Sequence, residues 1–126
     1  MKNLDWLAAQ AAQNVINETR NLDKNEVDGL ITKTLGVLQE NGVYACLLFL
    51  FSRGKKDEAI AEKACAQLLK LTTELGKSPP TNNRAENALK FLTDDICQDL
   101  DTLLLVKQLW EQTLIYARYG AKGRQD

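Results

Sequence analysis

The sequence predicts an all-α protein, a single compact bundle of about six helices that spans residues 1–126 as one domain. Three observations lead to this prediction. Apolar residues recur at intervals of three and four along most of the chain, which is the period of an amphipathic helix. Residues that start helices and glycines that end them separate these stretches, and no stretch shows the alternation of a strand. The chain is also long enough to bury one hydrophobic core without disulfides or metal ions.

The first half of the chain predicts three helices. The first covers residues 3–20 and carries one apolar face. Asp23 is the predicted N-cap of the second helix, because a Glu follows it at the spacing of a capping box. Asn41-Gly42 ends that helix, since glycine tolerates the left-handed conformation at helix ends. The run Val43–Phe51 is apolar all round and predicts a short central helix that is covered on every face.

Two loops frame the predicted fourth helix. Residues 52–56 form a basic loop, and the helix begins at Asp57 and ends at Gly76. After it, Pro79-Pro80 cannot continue a helix, because proline lacks the N–H donor and restricts the residue before it. This segment separates helices within one domain.

The last quarter of the chain predicts two more helices. Asn83 is the expected N-cap of the fifth, with Glu86 at capping-box spacing. Asp99 or Asp101 caps the sixth, which runs to about Tyr119. The buried side of the sixth helix is expected to carry Leu103, Val106, Trp110, Leu114 and Ala117.

Few residue patterns in the sequence are typical of catalytic or ligand-binding sites. We therefore expect a protein that is not an enzyme and has no cofactor, metal site or small-molecule substrate. The chain has no histidine, which removes the commonest general base and metal ligand. Cys46, Cys65 and Cys97 are widely spaced and are expected to be buried thiols in a reducing cytosol. The aspartates between residues 94 and 101 lack the spacing of a calcium loop or a di-metal bundle and fit helix capping. A small enzyme that uses other residue types is the interpretation we rank last.

The beginning of the chain and its longest apolar run predict a cytoplasmic protein with no membrane contact. Met1 to Leu7 has no apolar run after a basic start, so no signal peptide is expected. The run at residues 43–51 is far shorter than the roughly 20 residues that span a bilayer.

Charge is segregated although the formal net charge is only −1. One basic cluster follows the apolar run and a second lies at the C-terminus, where no acid occurs between Glu111 and Asp126. The two clusters are Arg53, Lys55 and Lys56, and Arg118, Lys122 and Arg124. Such clusters bind phosphate groups, and the alternative is an ordinary solvated surface. Tyr116 and Tyr119 lie beside the second cluster and either stack on bases or pack at the edge of the core.

Trp6 is predicted to lie on the polar side of the first helix, beside Gln10 and Gln13. An aromatic residue in polar surroundings is typical of protein interfaces, so one hypothesis is a contact with a partner chain. The alternative is an N-terminal tryptophan at a fraying helix end.

Two segments resemble a known family. Residues 35–50 carry spaced leucines, the Asn41-Gly42 break and an apolar helix that ends in Phe49-Leu50, and a basic loop follows. Residues 109–119 form a closing helix of aliphatic and aromatic residues that ends in a basic residue. Together they resemble the small helical subunit of type III-B CRISPR effector complexes, with the type III-A small subunit as a near relative.

The resemblance implies a function in antiviral defence without an active site. Members of the family stack in several copies beside other effector subunits and contact the guide–target RNA duplex through its phosphates. By position, the resemblance assigns phosphate contacts to the basic loop, to Arg118 and, more weakly, to Lys33. The alternative function is a helical protein–protein adaptor that makes no contact with nucleic acid.

Overall fold

The computed structural model describes residues 3–82 and 84–125, and these contain six α-helices and no strand. The helices are α1 (Leu4–Glu18), α2 (Lys24–Asn41), α3 (Val43–Phe51), α4 (Lys55–Leu71), α5 (Ala85–Phe91) and α6 (Leu100–Lys122). A 3₁₀ turn, Thr72–Leu75, extends α4, and a π-helical turn, Leu92–Ile96, extends α5. The predicted all-α class with about six helices is therefore confirmed.

Most helix ends lie where local sequence signals place them. The Asp23 carboxylate accepts hydrogen bonds from the N–H groups of Asn25 and Glu26 at 2.8 and 3.0 Å. Gly42 ends α2 with φ 95°, and Gly76 follows the extension of α4 with φ 78°, a conformation that favours glycine.

Two further helices, α6 and α1, also have a side-chain N-cap. Asp99 caps α6, and hydrogen bonds from the hydroxyl and N–H of Thr102 hold the pKa of the Asp99 carboxyl below its usual range. The N-cap of α1 is Asn3, which accepts from the N–H of Trp6 at 2.7 Å and was not predicted. The predicted cap at Asn83 lies outside the described residues.

Two predictions about the middle of the chain are wrong. α4 begins at Lys55, two residues before the predicted start, so the loop before it is only residues 52–54. α3 is not covered on every face, because Tyr44 is 40% exposed and Leu48 is 48% exposed. α3 packs against α2, α4 and α5 through its other sides, and no described element covers this one.

The core is built around α6, which contacts α1, α2, α3 and α4. α1 approaches it closely at Gly120, where an added Cβ would lie 3.0 Å from Cγ1 of Ile16. α2 runs antiparallel to it, since Gln39 bonds to Glu111 at 3.1 Å near one end and Asp28 pairs with Lys122 at 3.2 Å near the other. The residues predicted to line the buried side of α6 do so, with Leu103 half-buried and Val106, Trp110, Leu114 and Ala117 fully buried.

The difference between the two halves of α6 gives a stability test. Leu114 is 1% exposed and Leu104, on the same helix, is 54% exposed. We expect Leu114→Ala to lower the free energy of unfolding by about 2–5 kcal/mol, because it removes transfer energy and leaves a cavity. Leu104→Ala is the matched control, with an expected change within about 0.5 kcal/mol. Denaturant titration measures both, and equal losses would contradict the described core.

Candidate nucleic-acid interface

Arg53 is bound to its own helix end rather than projecting freely. Its Nε donates to the carbonyl of Phe49 at 3.1 Å, and its guanidinium lies 3.8 Å from the centre of the Phe49 ring. A second donor reaches the hydroxyl of Ser52. Arg53 therefore caps the C-terminal end of α3, where a positive charge is favourable.

Lys55 and Lys56 occupy the first turn of α4 and are both exposed. The N-cap of this helix is Gly54, which provides no side-chain hydrogen bond to the first turn. Lys56 lies 3.7 Å from Glu26 of α2, and the Lys56 side chain is 76% exposed. Cations at a helix N-terminus oppose the helix dipole, so these two lysines do not serve the stability of α4.

Arg124 is the clearest correction to the predicted C-terminal cluster. It is only 8% exposed, and its guanidinium donates to the carbonyls of Thr19, Arg20 and Leu22 at 3.3, 2.8 and 2.9 Å. The Arg124 carbonyl in turn accepts from Lys24 at 3.2 Å. Because these bonds join the C-terminal end to the α1–α2 connection, Arg124 is a structural residue and is no longer a candidate for phosphate contact.

The other candidate cations differ in how they are held. Lys33 is exposed on α2 and makes no ion pair among the described residues. Lys122 pairs with Asp28 at 3.2 Å and its side chain remains 48% exposed. Arg118 is half-buried, and its Nε is buried without a hydrogen-bond partner. A charged group with an unused buried donor is costly, and because this Nε is not accessible to solvent, only the exposed part of the guanidinium can donate to a phosphate.

The fold brings the two basic clusters to the same end of the bundle. Glu26 and Asp28 lie two residues apart at the start of α2, and they pair with Lys56 and Lys122 respectively. Lys33 follows Asp28 by five residues, which is about 8 Å further along α2 at 1.5 Å per residue. We call Lys33, Lys55, Lys56, Arg118 and Lys122 the basic rim. The paired carboxylates were missed from the sequence, because only the packing of α4 and α6 against α2 places them there.

The two C-terminal tyrosines separate in the structure. Tyr116 is half-buried and its hydroxyl donates to the carboxylate of Asp5 on α1, which raises the pKa of Tyr116 above its ordinary value. Tyr119 is 67% exposed and is adjacent in sequence to Arg118. Of the two predicted alternatives, Tyr116 therefore packs at the edge of the core, whereas the ring of Tyr119 is exposed and accessible for stacking.

Trp6 lies on the solvent side of α1 with 44% of its surface exposed. It lines a shallow groove between α1 and α4 together with Gln10, Asn14, Lys70 and Glu74. This position is compatible with the predicted partner contact and lies away from the basic rim.

The cysteines have the environments of core residues. Burial raises the pKa of the Cys46 and Cys65 thiols to about 12, and the proximity of Cys65 adds to the shift at Cys46. Burial also raises the pKa of Cys97, which is only partly buried. Among residues 3–82 and 84–125, no group of acidic or thiol side chains is arranged to hold a metal ion, and no helix has the length and apolarity to cross a bilayer.

No protein-family model, curated protein or solved structure matches this chain.

The bonds of Arg124 predict a stability role. Arg124→Met keeps most of the apolar stem but removes the donor to the carbonyls of Arg20 and Leu22, while that of Thr19 still accepts from the N–H of Leu22, so we expect a loss of about 2–3 kcal/mol in the free energy of unfolding. Lys122→Met is the matched control, because its exposed ion pair is worth at most about 1 kcal/mol. Chemical denaturation measures both variants. A loss no larger than that of the control would show that the Arg124 bonds do not hold the C-terminal end.

The thiol environments predict an order of modification. At pH 8 a thiol-reactive disulfide reagent should modify Cys97 first, because Cys46 and Cys65 hold almost no thiolate when their pKa is about 12. Since the pKa of both thiols is higher in the folded than in the unfolded chain, their contribution to stability is complete below pH 9 and decreases as the pH rises toward 12. Comparison with Cys46→Ala/Cys65→Ala isolates this effect. Rapid reaction of all three thiols in the folded protein would contradict their burial.

Proposed function

We propose that this chain is the non-catalytic small subunit of a type III CRISPR RNA-guided effector complex. In this proposal it associates with other effector subunits and with copies of itself, and it contacts guide–target RNA through phosphate groups. The sequence of the RNA is read by base pairing with the guide, as in other RNA-guided effectors. The family resemblance of residues 35–50 and 109–119 is one support for the proposal.

The observation that carries the proposal is the placement of the basic rim. Lys55 and Lys56 stand in the first turn of α4, whose N-cap Gly54 has no side chain to accept a hydrogen bond. The N–H of Asp57 donates to the carbonyl of Gly54, whereas the N–H groups of the two lysines are left for water or an anion. Lys122 lies on the other side of the start of α2. Two clusters that are distant in sequence thus lie at the same end of the bundle, on either side of the start of α2, where each is available to a phosphate group.

The existing ion pairs do not prevent this contact. Lys56 and Lys122 are partly exposed, and their pairs with Glu26 and Asp28 lie at 3.7 and 3.2 Å. Exposed pairs of this kind contribute at most about 1 kcal/mol, so a phosphate can replace the carboxylate as the partner of the lysine. The carboxylates also explain why an isolated chain with a formal charge of −1 should bind RNA weakly.

Exposed apolar side chains favour a second candidate function, the protein–protein adaptor. Leu100 and Leu104 on α6 are 65% and 54% exposed, and Tyr44 and Leu48 form a similar pair on α3. Salt distinguishes the two functions, because binding through several phosphates weakens steeply as salt rises and an apolar contact does not.

Charge reversal tests the RNA contact. We expect Lys55→Glu/Lys56→Glu to weaken binding of the full chain to an RNA duplex of about 20 base pairs and to lower the slope of log affinity against log salt by nearly one per lost phosphate contact. The variant loses the exposed pair with Glu26 but gains a favourable interaction with the helix N-terminus, so its free energy of unfolding should stay within about 1 kcal/mol of the wild type. Glu26→Gln, which removes the partner of Lys56, should strengthen binding. Fluorescence anisotropy over a range of salt concentrations measures all three proteins.

The matched control is Lys63→Glu/Lys90→Glu, which also reverses two exposed charges, one on α4 and one on α5, where Lys90 pairs with Asp94 at 3.4 Å. Equal weakening by the control would mean that only the net charge matters. To test the identity of the complex, the tagged full chain is purified from its own cells and the bound RNA is sequenced. Guide-length RNA with repeat sequence is expected, and partners that contain no RNA would instead establish the adaptor.

A further inference from the structure

A groove runs along the outer side of α4. It has a volume of about 970 Å³ and follows α4 and its 3₁₀ extension from Glu58 to Thr73. At 1.5 Å per residue this is about 22 Å of helix. The segment at residues 77–82 and the start of α5 form the opposite wall. Such a length suits a helix or an extended segment better than a compact ligand.

The floor and walls of the groove favour a helix as its occupant. The floor is lined by the small or apolar side chains Ala61, Cys65 and Leu69, which recur every four residues of α4 and permit close approach of a second helix. Pro79 and Pro80 in the opposite wall have no N–H donors, so that wall offers little to an added strand. The groove therefore resembles the helix-in-groove mode of recognition.

The rim of the groove carries opposite charges at its two ends. Glu58 and Glu62 line it near the start of α4, and Lys70 and Lys77 line it near the other end. Glu58, Glu62 and Lys70 are exposed and make no side-chain ion pair or hydrogen bond among the described residues. Arg53 also lines the groove, but its guanidinium is held against Phe49. A helix that lies antiparallel to α4 fits these charges when its start is acidic and its later turns are basic.

The first two turns of α6 have this pattern. Leu100 and Leu104 are 65% and 54% exposed, although both are leucines. Asp101 lies between them in the first turn of the helix and is one turn before Leu104, and Lys107 follows one turn after Leu104. Asp101 and Lys107 make no ion pair among the described residues. The distance from Asp101 to Lys107 is about 9 Å along the helix, and that from Glu62 to Lys70 is about 12 Å, so long side chains can bridge both ends.

We propose that the groove of α4 receives the first two turns of α6 from a second copy of this chain. Leu100 and Leu104 lie on the small-residue floor, Asp101 faces Lys70 and Lys77, and Lys107 faces Glu62 and Glu58. In this proposal the contact is head-to-tail: each molecule uses its groove toward one neighbour and its α6 start toward the other, and this arrangement generates open stacks. This inference deepens the proposed function, which requires copies to associate, but the docking itself needs no RNA.

Complementation between two blocked variants tests this contact. Ala66→Trp fills the groove from an exposed position of α4, and Leu104→Asp places a charge on the α6 start. Sedimentation velocity of the full chain should show concentration-dependent stacks for the wild type. Each variant alone should associate at least about tenfold more weakly, as expected for loss of a central contact. A mixture of the two should form only 1:1 dimers, because one intact groove and one intact α6 start remain.

Control variants and a thiol probe separate the possible outcomes. Ala59→Trp is the matched control, since Ala59 is exposed on α4 but does not line the groove, and it should stack like the wild type. Ala66→Cys places an exposed thiol in the groove, so stacking should slow its reaction with a maleimide, whereas the thiol of Ala59→Cys should be unaffected. A wild type that stays monomeric at about 1 mM, or variants that stack normally, would overturn the proposal.

Two further outcomes also overturn it. Association that is equally weakened by Ala59→Trp would place the contact elsewhere on α4. Binding of another protein's helix in the groove of a monomeric chain would assign the groove to that partner. The proposed function is tested separately, because a chain that captures RNA without stacking contradicts only this inference, and one that stacks without capturing RNA contradicts only the RNA contact.

Discussion

The packing of α6 against its neighbours is the constraint on which the rest of the structure depends. This helix has 23 residues, a length of about 35 Å, and its fully buried residues begin only at Val106. From there to the C-terminal end, α6 lies between α1 and α2, and Arg124 ties its end to the connection between them. The core therefore fixes one end of α6 and leaves the first turns at its other end without a cover. The exposed leucines at residues 100 and 104 follow directly from this arrangement.

The same packing determines which cations are available to a ligand. Arg124 and Lys122 are only two residues apart. Arg124 is buried and donates hydrogen bonds to three carbonyls, whereas Lys122 is exposed and pairs with Asp28. Lys55 and Lys56 reach the same end of the bundle because α4 begins near the start of α2. A formal charge of −1 is thus compatible with a cationic surface, since the arrangement of charges in space differs from their sum.

Local signals predicted the helices well, because they act between residues that are close in sequence. Asp23 and Asp99 bond to the first turns that follow them, and Gly42 and Gly76 adopt conformations that other residues avoid. The candidate surfaces depend instead on tertiary packing. No spacing rule distinguishes Arg124 from Lys122, and the exposed side of α3 is visible only when the neighbours of that helix are known. An all-apolar stretch indicates that a helix is largely covered, but nine residues at the edge of a small bundle cannot be enclosed on every side.

The basic rim and the groove occupy different parts of the molecule, so the proposed RNA contact and the proposed self-association would not compete. α4 belongs to both surfaces, with Lys55 and Lys56 at its first turn and the groove along its later turns. Glu58 and Glu62 separate the lysines of the first turn from the groove floor, so a phosphate backbone is repelled from the groove while a basic helix turn is attracted to it. A head-to-tail stack through the groove would repeat the basic rim once per copy along one direction. Each copy would then need only a few phosphate contacts, because the affinities of linked copies for one RNA reinforce each other.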